Sequence, residues 1–315
     1  MKTRLTELLN ITYPVFQGSM AWVSEARLAS AVSEAGGAGI IGTGGREADW
    51  VRNQIRLAKQ LTDKPFGVNI TLLDKSKDAL MEVVCQEKVA FVTLGAGNPI
   101  PYFPILNKAG IKKIPVVPNV KLAKRVEEHG ADAIVIEGME AGGHIGSLTT
   151  MALLTQVIPA VKLPVIAAGG IADGRGAAAA FIMGADGVQI GTRFMIAEEC
   201  AVHPNCKQKL IEAVDTDSVV TGLTSGHAVR GLRNEFTETF LAMERQCVTA
   251  AELNRFATGT GRKALVEGDV VNGMVQAGQS LLPLTSIEPA KVILETIMAD
   301  MRQRLIAAPG LLNKQ

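Results

Sequence analysis

His144 sits in the run Glu137-Gly138-Met139-Glu140-Ala141-Gly142-Gly143-His144-Ile145-Gly146. Imidazole titrates near neutrality, so a histidine in a glycine-flanked loop can take or give a proton at working pH. Two other runs are suited to an anion. Ala167-Ala168-Gly169-Gly170-Ile171-Ala172-Asp173-Gly174 follows an apolar stretch and opens a helical pattern, and Gln189-Ile190-Gly191-Thr192-Arg193-Phe194 does so again. Glycine lets backbone amides approach a ligand and point at negative charge, and a helix start adds to the attraction. Gly169, Gly170, Gly191 and Thr192 are the expected amide donors, with the Thr192 hydroxyl beside them. Each turn alone needs no ligand; the two together predict a phosphate cradle. Asn69 and Glu137 end otherwise apolar runs and must find polar partners, either a ligand or a structural network.

Such groups need a frame. The chain alternates short apolar runs with longer helical patterns. Strands are expected over 14–18, 39–42, 66–70, 91–95, 115–118, 133–137, 165–168 and 187–191. Runs such as Ala-Ile-Val-Ile-Glu are nearly continuous, which suits parallel strands buried on both faces. Helices are expected over 24–35, 50–61, 77–86, 102–109, 120–129, 149–160 and 175–183, with a short one after Phe194. Many end at glycine, the usual stop signal. Eight βα units in tandem predict an α/β fold, a closed (β/α)8 TIM barrel, over an open sheet. The open alternative needs a Gly-x-Gly-x-x-Gly turn after the first strand, and Gly-Ser-Met-Ala-Trp stands there instead. In a barrel the loops after strand C-termini carry the chemistry, and the loops after strands seven and eight habitually hold phosphate.

After Arg193 the rhythm breaks. Helices are expected over 203–213, 235–245, 250–256, 262–267 and 286–306. The expected division is a barrel over 1–200, a mostly helical cap over 201–270, and a segment over 271–315 that returns to the barrel, with a loose tail. The stretch 272–279 either lines the pocket or packs as a helix. Among the other histidines, His129 ends a helix and His203 opens one. His227, in Thr-Ser-Gly-His-Ala-Val-Arg, is open between a mouth residue and a structural one.

Composition excludes several functions. Lys and Arg number 32 against 31 Asp and Glu, and 4% of residues are aromatic, so nothing collects nucleic acid. No apolar run approaches membrane-spanning length, and the N-terminus lacks a signal-peptide pattern. The cysteines Cys85, Cys200, Cys206 and Cys247 form no Cys-x-x-Cys pair, which favours free thiols in a reducing cytoplasm. No metal-ligand pattern and no Gly-x-Ser-x-Gly elbow occur.

Pro-Val-Phe-Gln-Gly-Ser-Met-Ala-Trp, Lys-Pro-Phe-Gly-Val-Asn, Gly-Ala-Gly-Asn-Pro, the His144 run, Pro-Val-Ile-Ala-Ala-Gly-Gly-Ile-Ala-Asp-Gly and Gly-Val-Gln-Ile-Gly-Thr-Arg-Phe resemble the nitronate monooxygenase and flavin-type enoyl reductase superfamily over nearly the whole chain. The His144 run, with Ser-Gly-His-Ala-Val-Arg and the Met-Val-Gln-Ala-Gly-Gln stretch, is most similar to its enoyl-acyl-carrier-protein reductase II branch. The resemblance implies FMN at the barrel mouth, NADH or NADPH as reductant, and reduction of a trans-2-enoyl thioester carried by acyl-carrier protein. It implies His144 as the catalytic residue and a homodimer. It also implies FMN contacts at Gln17, Gly18, Met20, Ala21, Asn69, Gly95, Glu137, Gly143, Ala168, Gly169, Gly170, Gln189, Gly191 and Thr192. Ser19 departs from the glycine often found there. Oxidation of alkyl nitronates with oxygen is the rival activity, and a non-catalytic flavin- or phosphosugar-binding barrel is a third reading.

Overall fold

The computed structural model describes residues 1–313. A short helix α1 (Arg4–Leu9) precedes β1 (Val15–Gln17), α2 (Ala26–Glu34), β2 (Ile40–Gly42), α3 (Ala48–Leu61), β3 (Gly67–Thr71), α4 (Lys77–Glu87), β4 (Phe91–Gly95), α5 (Phe103–Ala109), β5 (Lys112–Val117), α6 (Val120–Glu128) and β6 (Ile134–Glu137). A two-residue strand β7 (Gly143–His144) interrupts the loop before α7 (Thr150–Val157). The barrel resumes with β8 (Val165–Ala168), α8 (Gly174–Ile182), β9 (Gly187–Ile190) and the single turn α9 (Thr192–Met195).

Eight of these strands run parallel in the order β1-β9-β8-β6-β5-β4-β3-β2. A parallel bridge between Phe16 and Ala38 closes the circle, with Gln17 N donating to Ala38 O at 3.0 Å and Ala38 N to Val15 O at 2.9 Å. The fold is the expected TIM barrel, and each expected strand is present. The fifth starts earlier than expected. Its opening Lys112 and Lys113 read as polar, yet Lys113 is buried and ion-paired with Asp132 at 2.7 Å.

The barrel interior is filled by apolar side chains. Phe16 and Phe91 stack at 5.1 Å among Ile40, Ile114, Val135 and Ile166. Leu5 and Leu9 of α1 plug the lower end. Glycine is required where these side chains crowd the wall: a Cβ on Gly187 would sit 2.4 Å from Leu5, and one on Gly67 would sit 2.3 Å from Phe91. Arg4 anchors the plug through Asp186, at 2.8 Å from Nε.

The cap holds α10 (Pro204–Glu212), β10 (Ser218–Thr221), β11 (Val229–Leu232), α11 (Glu235–Arg245), α12 (Ala250–Ala257) and α13 (Thr260–Leu265). Phe236, Phe240, Leu253 and Met274 form its small core. It is mostly helical, with one addition. β10 and β11 form a hairpin whose outer edge pairs antiparallel with β7, so the barrel's own β6–α7 loop is knitted into the cap. The last helix α14 (Ala290–Ala307) packs on α8 and α2, returning the chain to the barrel. It begins after Pro289, later than the periodicity predicts, because proline suits the start of a helix and not its interior. The tail expected to be loose forms a 3-10 turn over Ala308–Asn313, and residues 314–315 lie outside the described residues.

Candidate active site

The upper rim of the barrel encloses a cavity of about 430 Å³, within the usual range for a ligand site. Its walls are the loops after each strand, closed over by the 276–280 segment and Leu265 of the cap. Of the expected contacts, Gly18, Met20, Ala21, Asn69, Gly95, Glu137, Gly143, His144, Ala168, Gly169, Gly170, Gln189, Gly191 and Thr192 all line it.

Gln17, also expected to contact the ligand, does not line the cavity. The residue is fully buried in the wall. Its Oε1 accepts from Ile40 N at 3.0 Å and its Nε2 donates to Ser24 Oγ at 2.9 Å. β1 and β2 share a single bridge, and this side chain supplies the bonding that the short ladder omits.

One end of the cavity is a set of unused amide donors. The N–H groups of Gly170, Gly191 and Thr192 have no protein acceptor among the described residues. Gly170 is exposed and Gly191 and Thr192 are half-buried, so these donors face the open cavity, where amides beside a helix start suit an anion. Gly169 (φ +99°) and Gly170 (φ +72°) take left-handed backbone that a side chain would strain. A Cβ on Gly169 would meet Gly138 O and Thr150 Oγ1 at 2.9 Å. Gly191 differs: its φ of −100° suits any residue, yet nothing lies within 4 Å of its Cβ position. That open space belongs to the cavity. The Thr192 hydroxyl accepts from Gly278 N at 2.9 Å, which leaves its own proton to donate.

Further along, Asn69 donates to Thr93 Oγ1 at 3.0 Å, while Thr43 Oγ1 donates to the Asn69 carbonyl at 2.8 Å. These bonds fix the amide and leave its side-chain oxygen without a donor among the described residues. The Glu137 carboxylate also has no hydrogen-bond partner there. The barrel wall surrounds it, solvent reaches it only through the cavity, and burial pushes its pKa up to about 7. A polyol or ring N–H would satisfy both groups. Amides at one end, a long middle and facing polar side chains fit a flavin mononucleotide in charge and shape.

His144 stands at the mouth on β7. The residue is exposed through the open cavity, and neighbouring protein atoms desolvate its ring in part. Burial first, and the nearby His227 second, hold its imidazole below the ordinary value, so it is neutral near pH 7. The other two histidines are structural: His129 Nδ1 bonds Arg125 O at 2.7 Å, and His203 Nδ1 accepts from Asn205 N at 3.2 Å.

Glu140 and Ser280 escaped the sequence reading, and of the two readings of 272–279 the lining one holds. Glu140 lines the cavity and accepts from Thr150 N at 2.9 Å, fixing the His144 loop to the start of α7. The 272–279 stretch is irregular chain and not a helix. Val275 and Ala277 are buried, while Gln276, Gly278 and Ser280 face the cavity. This period-2 alternation was the available signal. Ser280 Oγ donates to Gly170 O at 2.6 Å, locking the segment over the cradle.

The family model for nitronate monooxygenase matches residues 2–81 and 76–300. The chain belongs to the nitronate monooxygenase family. Within it, the structure is similar to that of FabK from Thermotoga maritima, with 47% identity, 99% of each chain covered and a TM-score of 0.96. It is 31% identical, over 99% of both chains, to a (3aS,4S,5R,7aS)-5-hydroxy-7a-methyl-1-oxo-octahydro-1H-indene-4-carboxyl-CoA dehydrogenase of Rhodococcus jostii. A probable nitronate monooxygenase of Staphylococcus aureus is 30% identical over 96% of this chain and 98% of its own. Like its relatives, this member of the family is an oxidoreductase. Among the described residues no helix is long and apolar enough to cross a membrane, and no side-chain cluster could hold a metal.

Proposed function

We propose that the protein is a flavin-dependent enoyl-acyl-carrier-protein reductase of bacterial fatty-acid elongation, the activity of FabK. The observation that carries this reading is His144 held at the mouth of a cavity whose far end is a cradle of unpaired amides. The likeness to FabK over 99% of both chains supports it. The cofactor is FMN, which, when bound and reduced by NADH or NADPH, supplies hydride to the β-carbon of a trans-2-enoyl thioester.

The chain's own residues do the rest. Gly170, Gly191 and Thr192 hold the phosphate by their amides, and Gly169 shapes the turn. Asn69 and Glu137 receive the polar middle of the cofactor. Gly18, Met20, Ala21, Gly95, Gly143, Ala168 and Gln189 shape the walls around it. His144 touches the substrate and delivers or steers the proton that ends on the α-carbon. Segment 276–280 and Leu265 keep water from the reacting atoms. Acyl-carrier protein is the partner that brings the substrate, the protein acts in the cytoplasm, and the working form is a homodimer.

A nitronate monooxygenase is the second reading, favoured by the family model and the Staphylococcus relatives. The same histidine would serve there as a base. Purified protein is incubated anaerobically with crotonyl-CoA and NADH, and in air with propionate 3-nitronate. NADH consumption in the first and silence in the second is the expected result. The reverse pattern replaces the first reading with the second.

A further inference from the structure

The small cap sheet sets a second imidazole beside the first. Val229 on β11 lies opposite His144 on β7, and Ile145 N donates to Ala228 O at 3.1 Å. His227 lies two residues before Val229, outside β11 at the end of the 223–226 turn, which places it diagonally across from His144. Long side chains still meet at that separation. Arg230 turns to the other face, where it donates to Met139 O at 2.8 Å and Ser218 Oγ at 3.1 Å. His144 lines the cavity and is exposed through its open mouth, whereas His227 is exposed and is not a lining residue. With cofactor and substrate filling the cavity, the pair would run from the reacting atoms to outer water.

The loop that carries His227 is fixed from behind. Glu244 on α11 is 9% exposed and accepts from Gly222 N at 3.2 Å, Thr224 N at 2.9 Å and Thr224 Oγ1 at 2.7 Å. His227 N donates to Gly222 O at 3.0 Å, and Gly222 has φ +78°. A Cβ there would fall 2.2 Å from His227 O, so the turn admits only glycine. Arg230 and Glu244 are bonded as described, Glu140 is bonded to Thr150, and Glu137 lies on the cavity floor. The charge that His227 carries when protonated also helps hold His144 neutral, which supports their proximity.

We propose that His227 is a positioning residue that relays protons from solvent to His144, an inference that rests on the enoyl reductase reading. Hydride from the reduced flavin forms the new C–H bond at the β-carbon and breaks the C=C π bond, whose electron pair moves to the α-carbon and thioester oxygen. The α-carbon then takes the N–H proton of His144 while the other ring nitrogen of His144 takes a proton from protonated His227, so no imidazolate forms. His227 is reprotonated from water. The two electrons come from NADH through the flavin, so the step closes.

The test uses the full-length, flavin-loaded protein and crotonyl-CoA as the probe. In single-turnover mixing, His227→Gln is expected to slow substrate reduction about tenfold, a modest share of what proton-transfer groups contribute. Its solvent isotope effect rises, added imidazole restores the rate, and flavin reduction by NADH is unchanged. Glu244→Gln, which loosens the loop with the imidazole still present, moves rate and isotope effect the same way to a smaller extent. A wild-type rate and isotope effect in His227→Gln overturns the relay, and so does a slow rate that imidazole fails to raise. Wild-type protein that reduces no crotonyl-CoA overturns the enoyl reductase reading itself, before any variant is compared.

Discussion

Gly191 gives the cleanest test of the phosphate cradle. Its backbone angles suit any residue, no atom lies within 4 Å of its Cβ position, and it lines the cavity. A methyl group there meets no protein atom beyond its chain neighbours and enters the space assigned to the ligand. Gly191→Ala places a methyl group against the phosphate and displaces it from charge-assisted amide bonds, each worth about 1.5–3 kcal/mol. One such loss weakens FMN roughly 10- to 100-fold. Gly191→Asp adds like-charge repulsion. Two unit charges about 4 Å apart at an effective dielectric near 20 repel by about 4 kcal/mol, or roughly 10³-fold in affinity. Titration of flavin-free protein with FMN, followed by quenching of flavin fluorescence, gives the constants, and thermal melts of the same flavin-free variants check that the fold survives. FMN affinity within about threefold of wild type in Gly191→Asp, with an unchanged melt, refutes the cradle. The same experiment at Gly169 would be uninformative, because a Cβ there collides with Gly138 and Thr150.

His144→Ala keeps its flavin and loses enoyl reduction by about 10²- to 10⁴-fold, measured as crotonyl-CoA turnover; an unchanged rate removes the imidazole from the chemistry. Glu137 titrates at about 7 in the folded chain against an ordinary 4.5, so its ionisation opposes folding. Stability of the flavin-free protein is therefore full below pH 4.5 and falls as pH rises through about 7, by up to roughly 3 kcal/mol. Urea unfolding across that range shows the slope, and Glu137→Gln removes it. Leu5→Ala empties the lower plug of the barrel and costs about 2–5 kcal/mol, read from the same unfolding curves, while FMN affinity at the opposite end stays unchanged.

The barrel was legible because its strands are short apolar runs and its helices stop at glycine, both local signals. The two phosphate turns were legible for the same reason, since a left-handed glycine such as Gly170 is a requirement of its own backbone. Features that depend on distant partners were hidden. Gln17 sits at a strand end among true lining residues, and only the short β1–β2 ladder reveals that its amide belongs to the wall. β7 is two residues long and exists because β11 pairs with it from 85 positions on, as Val229 and His144 show. Glu140 reads as one more acidic loop residue until Thr150 is seen to donate to it. Lys113 reads as surface until Asp132 meets it in the wall.

The account stands on where the anionic end of the cofactor lies. A crystal structure of the FMN-loaded protein measures it directly. The phosphate is predicted within hydrogen-bonding distance of the Gly170, Gly191 and Thr192 amides, with the isoalloxazine ring extending toward Asn69 and its open face beneath His144. A phosphate anchored at any other part of the rim, or a ring turned away from His144, would contradict it.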